Sequence, residues 1–143
     1  MMIVDLNLLL SAVNSDAAEH ERARTWWESA VDDEDPTGLP WVVLPGFLRL
    51  STNPRVFPRP LLPEAALAIV DTWLARDTVR VVSERDDHWD VLKRLLGNAG
   101  TAGNLTTDAH VAALALSHDA MLMSSDMDFG RFQGLRWHNP LRD

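Results

Sequence analysis

Cysteine is absent from the 143 residues, which excludes disulfides and thiolate metal sites and says nothing of the compartment. Lys93 is the only lysine, so chemistry that pairs a lysine with an acidic centre has one residue to draw on. Basic charge is scarce: 13 Lys plus Arg face 21 acids, for a formal net charge of −8. That balance argues against holding nucleic acid by bulk electrostatics, yet it leaves open a nuclease whose bound metal and a few local arginines make the contacts. No apolar run approaches the ~20 residues of a membrane span. Residues 1–4 lack the basic flank of a signal peptide, and Asp5 interrupts their apolar run. A soluble, cytoplasmic protein is expected. The length suits one domain over residues 1–143, and no repeat or linker divides it.

What is present alternates between two periodicities. Short apolar runs over 1–4, 79–82 and 120–123 read as buried strands, with further strands expected within 38–44 and over 135–137. Between them lie helical patterns over 6–13, 17–31, 46–50, 63–75, 87–96 and from Asp108 to about 116. Ser15 or Asp16 can cap the second helix, and Pro63 suits the first turn of the fourth. The spacing turns Ala23, Trp26, Trp27 and Ala30 inward on one helix, Ala66, Leu67, Val70, Trp73 and Leu74 on another, and Trp89, Leu92 and Leu95 on a third. Trp41 and Trp137 are expected to be buried or half-buried, so the six tryptophans read as packing before base stacking. Alternation of helix and strand implies an α/β fold: a three-layer α/β/α sandwich around a mostly parallel sheet.

The acids are distributed unevenly along this pattern. Asp32-Asp33-Glu34-Asp35 closes a helix and reads as a solvated loop. Others stand where apolar segments end: Asp5, with Asn7, after the first strand; Ser124-Ser125-Asp126-Met127-Asp128 after the strand over 120–123; Asp108 behind two threonines at a helix start. Ligands of open α/β sheets bind beyond the carboxyl ends of parallel strands. Any one of these acids also fits a helix cap. Together they fit a divalent-cation site, because Mg²⁺ and Mn²⁺ prefer oxygen ligands and clustered carboxylates need a cation to relieve their repulsion.

Two stretches carry no acid at all. Residues 47–63 hold Arg49, Arg55 and Arg59 among four prolines, an extended loop able either to contact phosphate or to pair with acids elsewhere. Residues 91–107 hold Lys93, Arg94 and a glycine-rich segment that lacks the Gly-Lys-Ser/Thr end of a P-loop. The five histidines show no metal-ligand spacing, and no Ser-His-Asp arrangement can be placed. What remains is metal-assisted hydrolysis of a phosphodiester, in which Mg²⁺ or Mn²⁺ lowers the pKa of a water and stabilises the leaving oxygen. Asn7, Ser124 and Ser125 would orient the carboxylates by hydrogen bonds. Activity should then depend wholly on the ion.

At these same residues the sequence resembles a known family. Ile3-Val4-Asp5-Leu6-Asn7, Trp41-Val42-Val43-Leu44 with Phe47-Leu48-Arg49-Leu50, Thr106-Thr107-Asp108-Ala109-His110 and Ser124-Ser125-Asp126-Met127-Asp128-Phe129 look like the PIN domain. More narrowly they look like VapC-type toxins of bacterial toxin–antitoxin pairs, of the actinobacterial sort that also has Asn53-Pro54-Arg55-Val56-Phe57 and Trp137-His138-Asn139-Pro140-Leu141. The resemblance implies a Mg²⁺- or Mn²⁺-dependent endoribonuclease, a homodimer, held inactive by a cognate VapB-like antitoxin. It assigns Asp5, Asp108 and Asp126 to the metal and adds Asp128 to the catalytic cluster. Many PIN domains carry a glutamate where this chain has Gly46, and Glu84 lies outside the matched motifs. Two alternatives follow. One is a catalytically weak PIN-fold module that binds RNA or antitoxin; the other is a haloacid dehalogenase-type phosphohydrolase, which would need a second Asp where Asn7 stands and a lysine partner.

Overall fold

The computed structural model describes residues 1–142. Five strands, β1 (Met2–Val4), β2 (Thr37–Pro40), β3 (Val79–Val82), β4 (Met121–Met123) and β5 (Trp137–His138), form one sheet in the order β3-β2-β1-β4-β5. Every pairing is parallel. Six helices connect them: α1 (Leu6–Val13), α2 (His20–Asp32), α3 (Val43–Ser51), α4 (Pro63–Leu74), α5 (His88–Ala99) and α6 (Thr106–Ser117). Short 3-10 turns occupy Gly103–Leu105 and Met127–Arg131.

Alternation along each strand sends side chains to two separate cores. Val4, Leu39, Val79 and Met123 face a cluster built with α1 to α4, while Ile3, Val82 and Leu122 face one built with α5 and α6. The result is the expected three-layer α/β/α sandwich. Trp73 centres the first core, with Phe47 and Trp27 edge-on at centroid distances of 4.7 and 5.8 Å. α6 is apolar nearly all round, and its buried Ala109, Ala112, Ala113 and Ala115 let it sit close beneath the sheet.

The chain leaves β1 in one direction toward β2 and β3, and β4 and β5 fill the other side. The reversal therefore falls between β1 and β4, where two connections diverge and open a crevice above the strand ends. Val4 lies opposite Met123, so Asp5 and Ser124 emerge side by side.

Several expectations are corrected in detail. The strand expected within 38–44 runs instead over Thr37–Pro40, so that Gly38, a residue type common in turns, lies buried within β2. A Cβ there would stand 3.0 Å from Val82 Cγ1 and 3.3 Å from Ile3 Cγ1. α2 begins at His20 without a side-chain cap; Ser15 and Asp16 lie in the turn before it, where both bond Arg59. On α4 the buried residues are Ala66, Val70 and Trp73, whereas Leu67 is 52% exposed. Trp89 and Trp41, expected inside, are 66% and 57% exposed. α5 continues to Ala99 and stops at Gly100, whose φ of 72° is the left-handed conformation that ends helices. The last strand is displaced to Trp137–His138.

Candidate metal centre

The centre is assembled from the ends of β1 and β4. Asp5 donates its backbone N–H to the Met123 carbonyl at 3.0 Å, which keeps the two strands joined past their last paired residues. Its side chain caps α1, Oδ1 accepting the Leu6 N–H at 2.8 Å. Its Oδ2 accepts the hydroxyl of Ser124 at 2.8 Å.

Ser124 is fully buried, and its hydroxyl is used in every direction it allows. While donating to Asp5, it accepts from Asn7 Nδ2 at 3.2 Å and from the Asp126 N–H at 3.1 Å. The Asn7 Oδ1 accepts the Ser125 N–H at 3.4 Å. Trp137 Nε1 donates to the Ser124 carbonyl at 2.9 Å, anchoring the turn to β5. Asp126 Oδ1 in turn accepts the Asp128 N–H at 2.9 Å and starts the 3-10 turn. These bonds hold Asp5 and Asp126 through neutral groups, leaving their charge uncompensated.

Asp108 approaches from the other side, in the first turn of α6. Its position suits an anion, since the free N–H groups of a helix start carry partial positive charge. One oxygen each from Asp108, Asp126 and Asp128 lie within 4.8 Å of one another. Asp5 shares a cavity of about 290 Å³ with Asp108 and Asp126. None of these four acids is paired with an arginine or lysine among the described residues. The crowding appears in their protonation. Burial, then the charges of Asp126, Asp5 and Asp128, then a hydrogen bond with Asp126 push Asp108 up to about 6. Burial raises Asp5 as well, against the hydrogen bonds from Ser124 and Leu6. An all-oxygen, over-charged donor set of this kind fits a hard divalent cation.

Much of the remaining lining is apolar, with Leu6, Leu10, Val42, Val43 and Leu50, and the exposed Arg49 joins it. Thr107, to which the sequence assigns no role in the site, also lines the cavity with Asp108. A more open depression of about 510 Å³ crosses α2 and residues 140–141, but Glu21 is its single acid.

The other residues singled out by sequence fall into place differently. Arg59 forms an ion pair with Asp16 and also bonds Ser15. Arg55 is exposed and lines no part of the acidic cavity. Glu84 belongs to a separate group, 3.5 Å from His110, whose Nδ1 is 2.9 Å from His88 Nε2. Burial, followed by His88, lowers the His110 pKa, with Glu84 opposing. Lys93 pairs with Asp90 on its own helix, so no lysine meets the acids as a phosphohydrolase of the haloacid dehalogenase type requires. Gly46 is buried on α3, and a Cβ there would stand 2.8 Å from Leu6 Cδ2. Where many PIN domains offer a glutamate, this chain packs a leucine.

The chain has relatives of known family. The PIN domain profile matches residues 2–135. Ribonuclease VapC37 of Mycobacterium tuberculosis is 46% identical over 140 residues, covering 98% of this chain and 97% of the relative. Ribonuclease VapC33 of the same species is 42% identical over 143 residues, covering 100% of both. Among solved structures, VapBC2 from Rickettsia felis bound to a DNA fragment from its promoter superposes with a TM-score of 0.71 at 17% identity, over 96% of this chain and 97% of that one. VapC20 of M. tuberculosis, a sarcin–ricin loop cleaving toxin, gives 0.69 at 20% identity over 95% and 99%.

Proposed function

Since this chain belongs to the PIN-domain family, and within it to the VapC ribonucleases, we propose that it is a metal-dependent endoribonuclease serving as the toxin of a type II toxin–antitoxin pair. The observation that carries the proposal is the convergence of Asp5, Asp108, Asp126 and Asp128, from three separate segments, with none of the four in an ion pair among the described residues. The reading extends to a homodimer and a VapB-like antitoxin as partner. It places the protein in the cytoplasm, where RNA is found; among the described residues no helix is long and apolar enough to cross a membrane.

Asp108, Asp126 and Asp128 would hold the cation, with Asp5 beside them. Mg²⁺ or Mn²⁺ bound there supplies Lewis acidity, neutralising charge on the phosphodiester and lowering the pKa of a water. The remaining work falls to the chain itself. Ser124 and Asn7 fix the Asp5 carboxylate so that it needs no reorganisation when the substrate arrives. Asp108 holds a proton up to about pH 6 and must give it up as a cation enters, so acid competes with metal. The apolar lining restricts water, and Arg49 meets substrate phosphate. Gly46 contributes no ligand; Mg²⁺ keeps waters readily and tolerates a site with fewer carboxylates.

The test is turnover. The purified chain, free of partner, is incubated with a mixed RNA pool in Mg²⁺, Mn²⁺ or EDTA, beside Asp108→Asn. Cleavage that needs the ion and disappears in the variant is expected. Cleavage that persists in EDTA would remove the metal–carboxylate mechanism. Tight RNA or antitoxin binding without cleavage would favour the catalytically weak module.

A further inference from the structure

The acidic centre has a second side. Beyond Asp128 lies another cavity, of about 240 Å³, formed by residues 101–105 with Asp128 and Arg131. The first cavity reaches the centre through Asp126 and carries Arg49; this one reaches it through Asp128 and carries Arg131. Because the oxygens of Asp126 and Asp128 lie within 4.8 Å of each other, the two cavities meet at the cluster.

The arginines are distinguished by what they lack. Arg24, Arg59, Arg76 and Arg136 are paired with carboxylates, and Arg22 bonds the Leu141 carbonyl. Arg49 and Arg131 are exposed, and no ion pair among the described residues uses either. Arg55, Arg80, Arg85, Arg94 and Arg142 also make no ion pair among the described residues, but they line neither cavity; Arg85 bonds His118 and Arg142 the Met127 sulfur. Each cavity draws on one acid-free stretch of the sequence: residues 47–63 supply Arg49 and Leu50 to the first, and residues 91–107 supply the loop 101–105 to the second. In a chain of net charge −8, guanidinium groups left free on each side of a carboxylate cluster have no intramolecular role that the structure displays. Phosphates on either side of a reacting phosphodiester are their chemical complement, since arginine binds phosphate oxygens through paired N–H donors.

The geometry points to Arg131 and the loop 101–105 as a second phosphate subsite, so that single-stranded RNA crosses the acidic centre with flanking phosphodiesters held by Arg49 on one side and Arg131 on the other. This rests on the ribonuclease reading above and extends it to the path of the strand. Thr101 and Asn104, both exposed on the loop, supply uncharged hydrogen bonds to the same nucleotide. Arg131 is a binding residue here and takes no part in the bond that breaks.

The experiment is a phosphate scan. Once the cleavage site in an RNA is mapped, oligonucleotides are made with a single neutral methylphosphonate at each flanking position and cut by wild type, Arg131→Ala, Arg131→Lys and Arg49→Ala. Wild type should lose about tenfold in kcat/KM at one position on each side of the scissile bond, the scale of one charge-assisted contact. Arg131→Ala should lose about as much on unmodified RNA and become insensitive at one of those positions while keeping the other; Arg49→Ala should do the reverse. Arg131→Lys should recover part of the loss. The slope of log kcat/KM against log salt should fall by about 0.7 for each lost contact.

Arg131→Ala cutting like wild type, or losing the same factor at every methylphosphonate position, would overturn the proposal. So would normal cleavage combined with weakened binding of the antitoxin, which would assign Arg131 to a protein interface. Failure of wild type to cut or bind any RNA is a different result, because it removes the ribonuclease reading and the strand path with it. Unchanged thermal melting of the exposed-site variants excludes misfolding as the cause of a loss.

Discussion

Two groups of four carboxylates stand at opposite ends of the same parallel sheet, and their surroundings differ in kind. At the amino ends of the strands, Asp32, Asp33, Glu34 and Asp35 are exposed. Asp32 meets Arg76, Asp35 meets the amino group of Met1, and Asp33 accepts the Asp35 N–H. At the carboxyl ends, Asp5, Asp108, Asp126 and Asp128 have no cationic partner among the described residues, and two of them are pushed upward in pKa. Number of acids does not separate the groups. What separates them is that one set is solvated, with two of its members paired to cations, while the other includes Asp5 and Asp126 held by neutral donors and has no member in an ion pair among the described residues.

The largest expected consequence lies in activity. Asp126→Asn should reduce RNA cleavage on the order of 10³-fold or more, the scale seen when a catalytic group is removed. The double change Asp32→Asn with Asp35→Asn, removing as many charges or more from the other end, should leave kcat/KM within about twofold. Similar losses from both would erase the distinction.

Next is the neutral support. Ser124→Ala removes the donor to Asp5 and the acceptor of Asn7 and Asp126, so metal affinity measured by calorimetry should fall about 10–100-fold. Thermal unfolding should register roughly 1–3 kcal/mol for buried groups left unpaired. Asp33→Ala, at the other end, should register little in either measurement.

A third expectation concerns pH in the metal-free protein. Asp108 holds its proton more tightly folded than unfolded, so its contribution to stability is complete below its ordinary value near 3.8 and is lost as pH rises through about 6. Asp5 acts in the same direction. His110, lowered by burial, acts oppositely, losing stability as it charges in acid. Melting of wild type against Asp108→Asn from pH 4 to 8 isolates the effect: the variant should gain stability relative to wild type above about pH 6, and Mg²⁺ should reverse the order there. A constant difference across that range would contradict the burial and crowding described for Asp108.

The smallest effect is at Gly46. Alanine in a helix is favoured over glycine by ~1 kcal/mol, but here the added Cβ meets Leu6 Cδ2 at 2.8 Å. Gly46→Ala should therefore stay within about 1 kcal/mol of wild type. In a Leu6→Ala background the same change should stabilise by about 1 kcal/mol, as chemical denaturation would show.

Much of this site was legible because strands that end in acids leave a simple mark: an apolar run and then a carboxylate, as at Val4-Asp5 and Met123-Ser124-Ser125-Asp126. The sheet order that brings the marks together was not legible residue by residue, since it depends on β4 pairing with β1 across more than a hundred residues. Helix phase was the weaker inference. Leu67 and Trp73 both fit an apolar stripe on α4, and contact with Phe47 and Trp27 selects the Trp73 face. Trp89 and Trp41 were misplaced for the same reason, as a large apolar side chain states a preference for burial but not a location. β2 was obscured because Gly38 and Pro40 look like turn residues, while the narrow space beside Val82 and Ile3 makes glycine suitable for a central strand. Arg131 carried no signal of its own in the sequence; only the cavity it shares with Asp128 gives it meaning.

The bond from Trp137 Nε1 to the Ser124 carbonyl gives the molecule a built-in optical reporter. The indole is half-buried, and its ring lies 3.6 Å from the position a Cβ on Gly130 would take, so it touches the turn that carries Asp126 and Asp128 from two directions. Comparing wild-type emission with that of Trp137→Phe should isolate its signal, so that cation arrival at that turn can be followed by light without any RNA present.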